Sequence, residues 1–324
     1  MLQYKLVSYG LSQAKGQLTI IYKSRPIQEV LNDASVTDSL KGKLKLIAEI
    51  KQFATDSLGL NPTKNYNTFY DQEGKSLLLV VTGSKPFEFK AKEWNFPVLG
   101  NVPYKGFFNK NAAVLEAVNL RKEGYDVDLG KVSGWSTLGF FKDPVLSNML
   151  QNPVGNLSNI IIHELTHSSI YVKDKTDFNE NLANFIGNKG ALRFLQSKYG
   201  LNSKEVNEYV SGLEDEKKFN DYVLQTKNKL EKLYKQSKLD TVSLRKEKLK
   251  LILVSIEGLK NTTIQNQKRY KKVLNKAIYS GNAFFMSFER YESQQDIFEL
   301  ELSQKFNNNL YLFMQFYKAK HPYL

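Results

Sequence analysis

Apolar positions recur at steps of three and four through Leu40, Leu44, Ile47, Ile50, Ala54 and Leu58, and Gly59 follows them. That pattern predicts an amphipathic helix with one core-facing stripe and a glycine just past its C-terminal end. Residues 77–82 and 87–90 are short β-favouring runs separated by Gly83-Ser84-Lys85-Pro86, the signature of a hairpin. Residues 110–123 carry Ala113, Ala117 and Leu120 on one face and stop at Gly124, which predicts a second helix. Residues 125–138 turn back to β-favouring types, punctuated there and just beyond by Gly130, Gly134 and Gly139. Glycines in a strand mark bulges or the close approach of another backbone, so this segment reads as an edge that receives an extended peptide or as ordinary turns. From Ser203 the chain is rich in Lys, Glu and Leu with almost no proline until Pro322. Long helices joined by short polar turns, such as Lys238-Leu239-Asp240, are expected there. No fixed-period repeat is visible. The change in composition near residue 200 suggests a division into 1–200 and a helical layer over 201–324.

Composition narrows the chemistry. There is no cysteine among the 324 residues, which excludes disulfides, thiolate metal sites and a cysteine nucleophile. No stretch approaches the roughly 20 consecutive apolar residues of a membrane-spanning helix. The formal charge of +13 raises the question of nucleic acid or anionic lipid. Between residues 201 and 275, however, 17 Lys or Arg are interspersed with 10 Asp or Glu, as on a solvated helical face, so no nucleic-acid partner is expected. Leu2-Gln3-Tyr4-Lys5 shows neither the basic nor the apolar part of a signal peptide, which suggests a protein that is not exported or one whose start has been trimmed.

The informative segment is Ile160-Ile161-Ile162-His163-Glu164-Leu165-Thr166-His167, a His-Glu-x-x-His match behind an apolar run. On a helix, positions four apart lie one turn apart on the same face, so both imidazoles can reach one ion. Glu164, beside the first of them, is placed as general base. The chain has only three histidines, and two of them form this pair. A buried helix with two hydrogen-bonded histidines is the structural alternative. Glu180 offers a third ligand after a 12-residue gap, at the first turn of a second helix whose Ala183, Phe185 and Ile186 would face inward. Two His and one Glu leave one tetrahedral position for water, the ligand set of a catalytic zinc, one Zn2+ per chain. The expected chemistry is peptide-bond hydrolysis, with Glu164 taking the water's proton and returning it to the leaving amine. A further donor, a Tyr or His, is needed for the oxyanion, and 18 tyrosines do not single one out. His321 is expected at the surface.

With these residues the sequence resembles the bacterial putative aminopeptidase family of predicted zinc peptidases. The likeness rests on His163-Glu164-Leu165-Thr166-His167, Tyr171-Val172-Lys173-Asp174, Phe178-Asn179-Glu180 and Gly187. It extends upstream through Gln13-Ala14-Lys15-Gly16-Gln17, Trp94-Asn95-Phe96-Pro97, residues 102–108, Gly124-Tyr125-Asp126-Val127, Ser136-Thr137-Leu138-Gly139 and Asp143-Pro144-Val145-Leu146. Weaker matches follow at Asn282-Ala283 and Tyr291. The resemblance implies a gluzincin-like, zincin-like hydrolase acting on peptides. By analogy, Trp135, Ser136, Thr137 and Gly139 would form the strand edge that binds the substrate backbone, with Trp135 standing where a tyrosine is expected. The resemblance also implies the cell envelope or periplasm, with membrane association through an N-terminal anchor.

The expected architecture is α+β and predominantly helical: a small antiparallel sheet beside two metal-bearing helices, with a helical C-terminal layer closing the cleft. Aminopeptidase and zinc endopeptidase share this chemistry, and spacing does not distinguish them. The rival from another class is a non-catalytic helical binding protein that uses a basic face. Oligomeric state is not legible.

Overall fold

The helix anticipated from Leu40 to Leu58 spans Asp38–Asp56, with Leu44, Ile47, Ile50 and Ala54 buried along one face. The Thr37 hydroxyl caps it by accepting from the Leu40 N–H at 3.4 Å. It stops because Gly59 takes a left-handed φ of 73°, and the Leu60 N–H turns back to the Ala54 carbonyl at 3.0 Å. A Cβ at Gly59 would collide with Gln315 and Tyr311, so only glycine fits this exit.

The structure, a computed structural model, describes residues 2–75, 77–96, 100–131, 142–292 and 294–321. It is α+β and mostly helical, with small sheets of two or three strands. The chain divides into two compact units, one of residues 1–78, 131–209 and 294–324 and the other of 79–130 and 210–293. One change of unit falls at 209–210. The other three changes have no counterpart in a linear reading of composition.

In the first unit, the helix Val154–His167 and the helix Thr176–Tyr199 form a hairpin. Leu157, Ile161, Ile162 and Leu165 of the first are buried, as are Leu182, Ala183, Ile186, Ala191 and Leu195 of the second. Phe185, also buried, faces a separate aromatic cluster in which its ring lies 5.6 Å from Phe298 and 5.5 Å from Phe313. These rings seat the helices Gln295–Phe306 and Leu310–Lys320 against the hairpin. His321, partly exposed, packs on Phe178 and Tyr317.

The sheet of this unit departs from the antiparallel one expected. Its central strand, Thr68–Tyr70, pairs antiparallel with Arg25–Pro26 and parallel with Val145–Leu146, in the register Phe69 opposite Arg25 and opposite Val145. A parallel pair needs a long crossover. Here that crossover contains the whole segment 79–130 of the second unit, which local hairpin signals do not register.

The second unit holds the strand Leu79–Ser84 between Lys105–Phe107 and Asp126–Lys131, and a separate pair Trp94–Phe96 and Gly100–Val102. The hairpin expected between 77–82 and 87–90 is reduced to a turn. Lys85 N–H donates to the Lys90 carbonyl at 3.0 Å and a single bridge joins Ser84 to Ala91, while the ladder partners of the strand are Lys105–Phe107 and Asp126–Lys131. Phe87 and Phe89 are drawn away from a ladder because their rings pack on Tyr234, at 5.9 and 5.8 Å. The helix Lys110–Lys122 forms as expected, capped by Asn109, with Ala113, Ala117 and Leu120 buried. Long helices supply the core through Phe219, Val223, Leu230, Ile252, Ile256 and Phe285. A buried ion pair, Lys248 with Asp126, crosses this unit, and the same carboxylate accepts the Asn282 N–H at 2.7 Å. This gives Asp126 and Asn282 of the family-like segments a structural reason to be where they are. No described helix is long and apolar enough to cross a membrane.

Candidate metal centre

The apolar run 160–162 buries one side of the motif helix and so fixes which way the other side looks. His163 and His167, one turn apart, bring their Nε2 atoms to 3.2 Å from each other. Glu180 comes from the second turn of the partner helix and places Oε2 at 3.4 Å from His163 Nε2 and 3.7 Å from His167 Nε2. His163, Glu164 and Glu180 are half-buried and His167 is buried.

Two features outside the motif set this geometry. The first is the close approach of the two helices at Gly187, where a Cβ would stand 3.2 Å from the Asn159 carbonyl oxygen and 3.3 Å from His163 Cβ. A residue without a side chain lets the partner helix pass close here, and a Cβ would require the neighbours to give by a few tenths of an ångström. The Asn159 amide, which meets Asn188 Oδ1 at 2.6 Å, shows the partner helix running back along the motif helix from Glu180. The second is Asn179, buried beside Glu180. Its side chain accepts from the Val172 N–H at 2.9 Å and donates to the Val172 carbonyl at 2.8 Å, clamping the connection between the helices. Sequence reasoning placed Asn179 in the family-like segment without a role. The signal was its position just before the ligand carboxylate.

The three atoms fit a small cation. Ligands at about 2.0–2.2 Å from a tetrahedral ion lie about 3.3–3.6 Å from one another. The observed separations of 3.2, 3.4 and 3.7 Å bracket that range. These are also the only His or carboxylate groups of three or more that converge in this way among the described residues. Two imidazole nitrogens and one carboxylate oxygen suit zinc or ferrous iron.

The electrostatics follow from crowding acids and imidazoles out of water. Burial, the largest influence on the Glu180 carboxyl, pushes its pKa up, but the charges and hydrogen bonds of His167 and His163 outweigh it and hold Glu180 well below the usual range. Burial pushes the His167 imidazole down, and the carboxylates of Glu180 and Glu164 more than reverse that. Glu164 is raised, chiefly by burial and further by Glu180, with the two imidazoles acting against it. A carboxyl held above its ordinary value is the better proton acceptor, as a general base near neutral pH needs. His167 Nδ1 is buried without a hydrogen-bond partner among the described residues.

The loop before the strand Thr68–Tyr70 grips the far end of the motif helix. Asn61 N–H donates to Ser169 Oγ at 2.9 Å and the Asn65 amide donates to Ser168 Oγ at 3.2 Å. Between them, Tyr66 holds a left-handed φ of 59° and a buried hydroxyl without a partner among the described residues. Burial raises its pKa far above normal, and the charges of Glu164 and Asp143 add to that. Composition could not distinguish this tyrosine from the other 17; its backbone and burial do.

Trp135, Ser136, Thr137 and Gly139, the expected substrate edge, lie outside the described residues, as does Gly134. Gly130 lies in the strand Asp126–Lys131.

The chain matches a protein family described as "Putative aminopeptidase" over residues 8–321. No curated protein and no solved structure matches it.

Proposed function

This chain belongs to the putative aminopeptidase family, and we propose that it is a zinc-dependent peptidase of zincin-like, gluzincin type that removes residues from the free N-terminus of peptides. The observation that carries the zinc reading is the convergence of His163 Nε2, His167 Nε2 and Glu180 Oε2 at ligand spacing, with a second acidic group, Glu164, one residue from the first histidine. That extra carboxylate favours hydrolysis over iron chemistry, because it adds a base where a facial triad needs none.

His163, His167 and Glu180 would hold the ion, which supplies Lewis acidity to a water and to the scissile carbonyl. Glu164 accepts a proton from the attacking water as the C–O bond forms. The same carboxyl delivers that proton to the departing amine as the C–N bond breaks, so one group serves as base and then acid. The buried surroundings of Glu164 hold its pKa up and keep both transfers accessible near neutral pH. Trp135, Ser136, Thr137 and Gly139 are proposed to hold the substrate backbone, and the family-like segments favour a place in the cell envelope.

The test is hydrolysis of free and N-blocked peptides by the zinc-loaded protein and its Glu164→Gln variant, with zinc content measured alongside. Cleavage of free peptides alone, abolished in the variant while zinc is retained, is expected. Cleavage of blocked peptides would make the protein an endopeptidase. Zinc retention without cleavage of either would return the protein to the non-catalytic reading.

A further inference from the structure

A cavity of about 520 Å³ opens in the first unit, a size that suits a small molecule. One wall is Leu165 of the motif helix. Two residues along a helix turn it by about 200°, so Leu165 projects from the face opposite His163, and none of the three ligand residues lines the cavity, although Tyr66, which feels the charge of Glu164, does. Ile27 and Ala48 add apolar surface, and Asn61 and Thr63 add amide and hydroxyl groups. The cavity has one charged wall residue, Lys51, and no Asp or Glu lines it.

Lys51 is the unusual member. Burial alone draws its ammonium pKa down to about 8. The Lys51 Nζ donates to the Asn65 carbonyl and to Asn67 Oδ1, both at 2.5 Å. No carboxylate is paired with it among the described residues. An ammonium has three donors, so two neutral oxygens leave one N–H and the whole charge unanswered. Keeping an unpaired cation partly out of water is costly, and an anion restores the balance. One positive charge, neutral amide and hydroxyl neighbours and an aliphatic wall match a singly charged head on a small apolar body. A phosphate would call for more positive charge.

We propose that this cavity binds the carboxylate of a small aliphatic group with no ammonium beside it, the C-terminal residue of a short peptide, with Lys51 as its anchoring cation. The inference stands apart from the metal chemistry and from peptidase activity.

The test is calorimetric titration of the 324-residue chain with leucine, N-acetyl-leucine and N-acetyl-leucinamide. N-acetyl-leucine represents the end of a peptide, the amide removes the negative charge, and leucine adds an ammonium that no acidic wall residue answers. Binding of N-acetyl-leucine is expected, with leucine binding more weakly and the amide not at all. Lys51→Met should weaken that binding by about tenfold or more, as loss of a charged hydrogen bond implies. Lys51→Arg should recover part of it, and His163→Ala should leave it unchanged. Equal binding of N-acetyl-leucine and its amide, no binding of N-acetyl-leucine at millimolar concentration, tighter binding of leucine, or undiminished binding in a folded Lys51→Met would overturn the proposal. Binding lost in His163→Ala and kept in Lys51→Met would place the carboxylate on the metal centre and overturn it as well.

Discussion

His167 Nε2 stands 3.2 Å from His163 Nε2, and both face the same oxygen of Glu180 at 3.7 and 3.4 Å. Two imidazole nitrogens this close cannot both carry a proton toward each other. One proton can be shared within the trio, or one cation can answer all three lone pairs. The second arrangement satisfies every atom at once, which is why the geometry reads as a ligand set rather than as a histidine hydrogen bond.

Glu180→Gln keeps the side chain's volume and removes its charge. Zinc affinity, measured by competition with a chromophoric chelator, should fall by about 100-fold or more, at the upper end of losses seen for outer-shell partners. An unchanged affinity would remove Glu180 from the ligand set.

Gly155→Ala and Gly187→Ala should separate packing from metal geometry. An alanine Cβ at Gly155 would meet the Tyr209 ring at 2.4 Å. The overpacking should cost about 1–3 kcal/mol in a thermal or denaturant melt, with little change in zinc affinity. At Gly187 the neighbours are the Asn159 backbone and His163 Cβ, so the helices must part by a few tenths of an ångström. There zinc affinity should fall by about tenfold, as a disturbed ligand support implies. Equal zinc affinities in the two variants would show that the close approach at Gly187 does not set the ligand geometry.

Tyr66→Phe should raise stability. The Tyr66 hydroxyl is buried without a partner among the described residues, and removing such a group relieves about 1 kcal/mol or more. Urea unfolding of the two proteins reads the difference directly. A less stable variant would reveal a partner for the hydroxyl, such as an ordered water between it and Glu164.

Alkaline pH should favour the fold through Lys51. Its folded pKa is about 8 against an ordinary 10.5, so between these values the unfolded chain holds a proton that the folded chain has released. Stability contributed by this group therefore rises with pH across that window and levels off above it. Denaturant melts at the two ends of the window should show the wild type gaining on Lys51→Met as pH rises. A constant difference would mean that Lys51 is solvated in the folded protein.

Much of the site was legible because helical chemistry is local. A period of 3.6 residues places His163 and His167 on one face whatever surrounds them, and the stripe from Leu44 to Ala54 declares its helix for the same reason. Glu180 could be named from its spacing to the motif. The sheet was less legible, because strand pairing depends on partners far away in sequence. Phe87 and Phe89 carry a strand's composition, yet they pack on Tyr234 of a helix that begins more than a hundred residues later.

The sequence by itself determined the helices, their buried faces and the atoms able to hold a metal, since these follow from backbone periodicity and side-chain chemistry. Only the tertiary structure decided that the atoms meet. That depends on Gly187 letting the partner helix come close and on Asn179 clamping the turn. It also singled out Tyr66 and Lys51, whose distinction lies in burial, and burial is a property of everything packed around a residue.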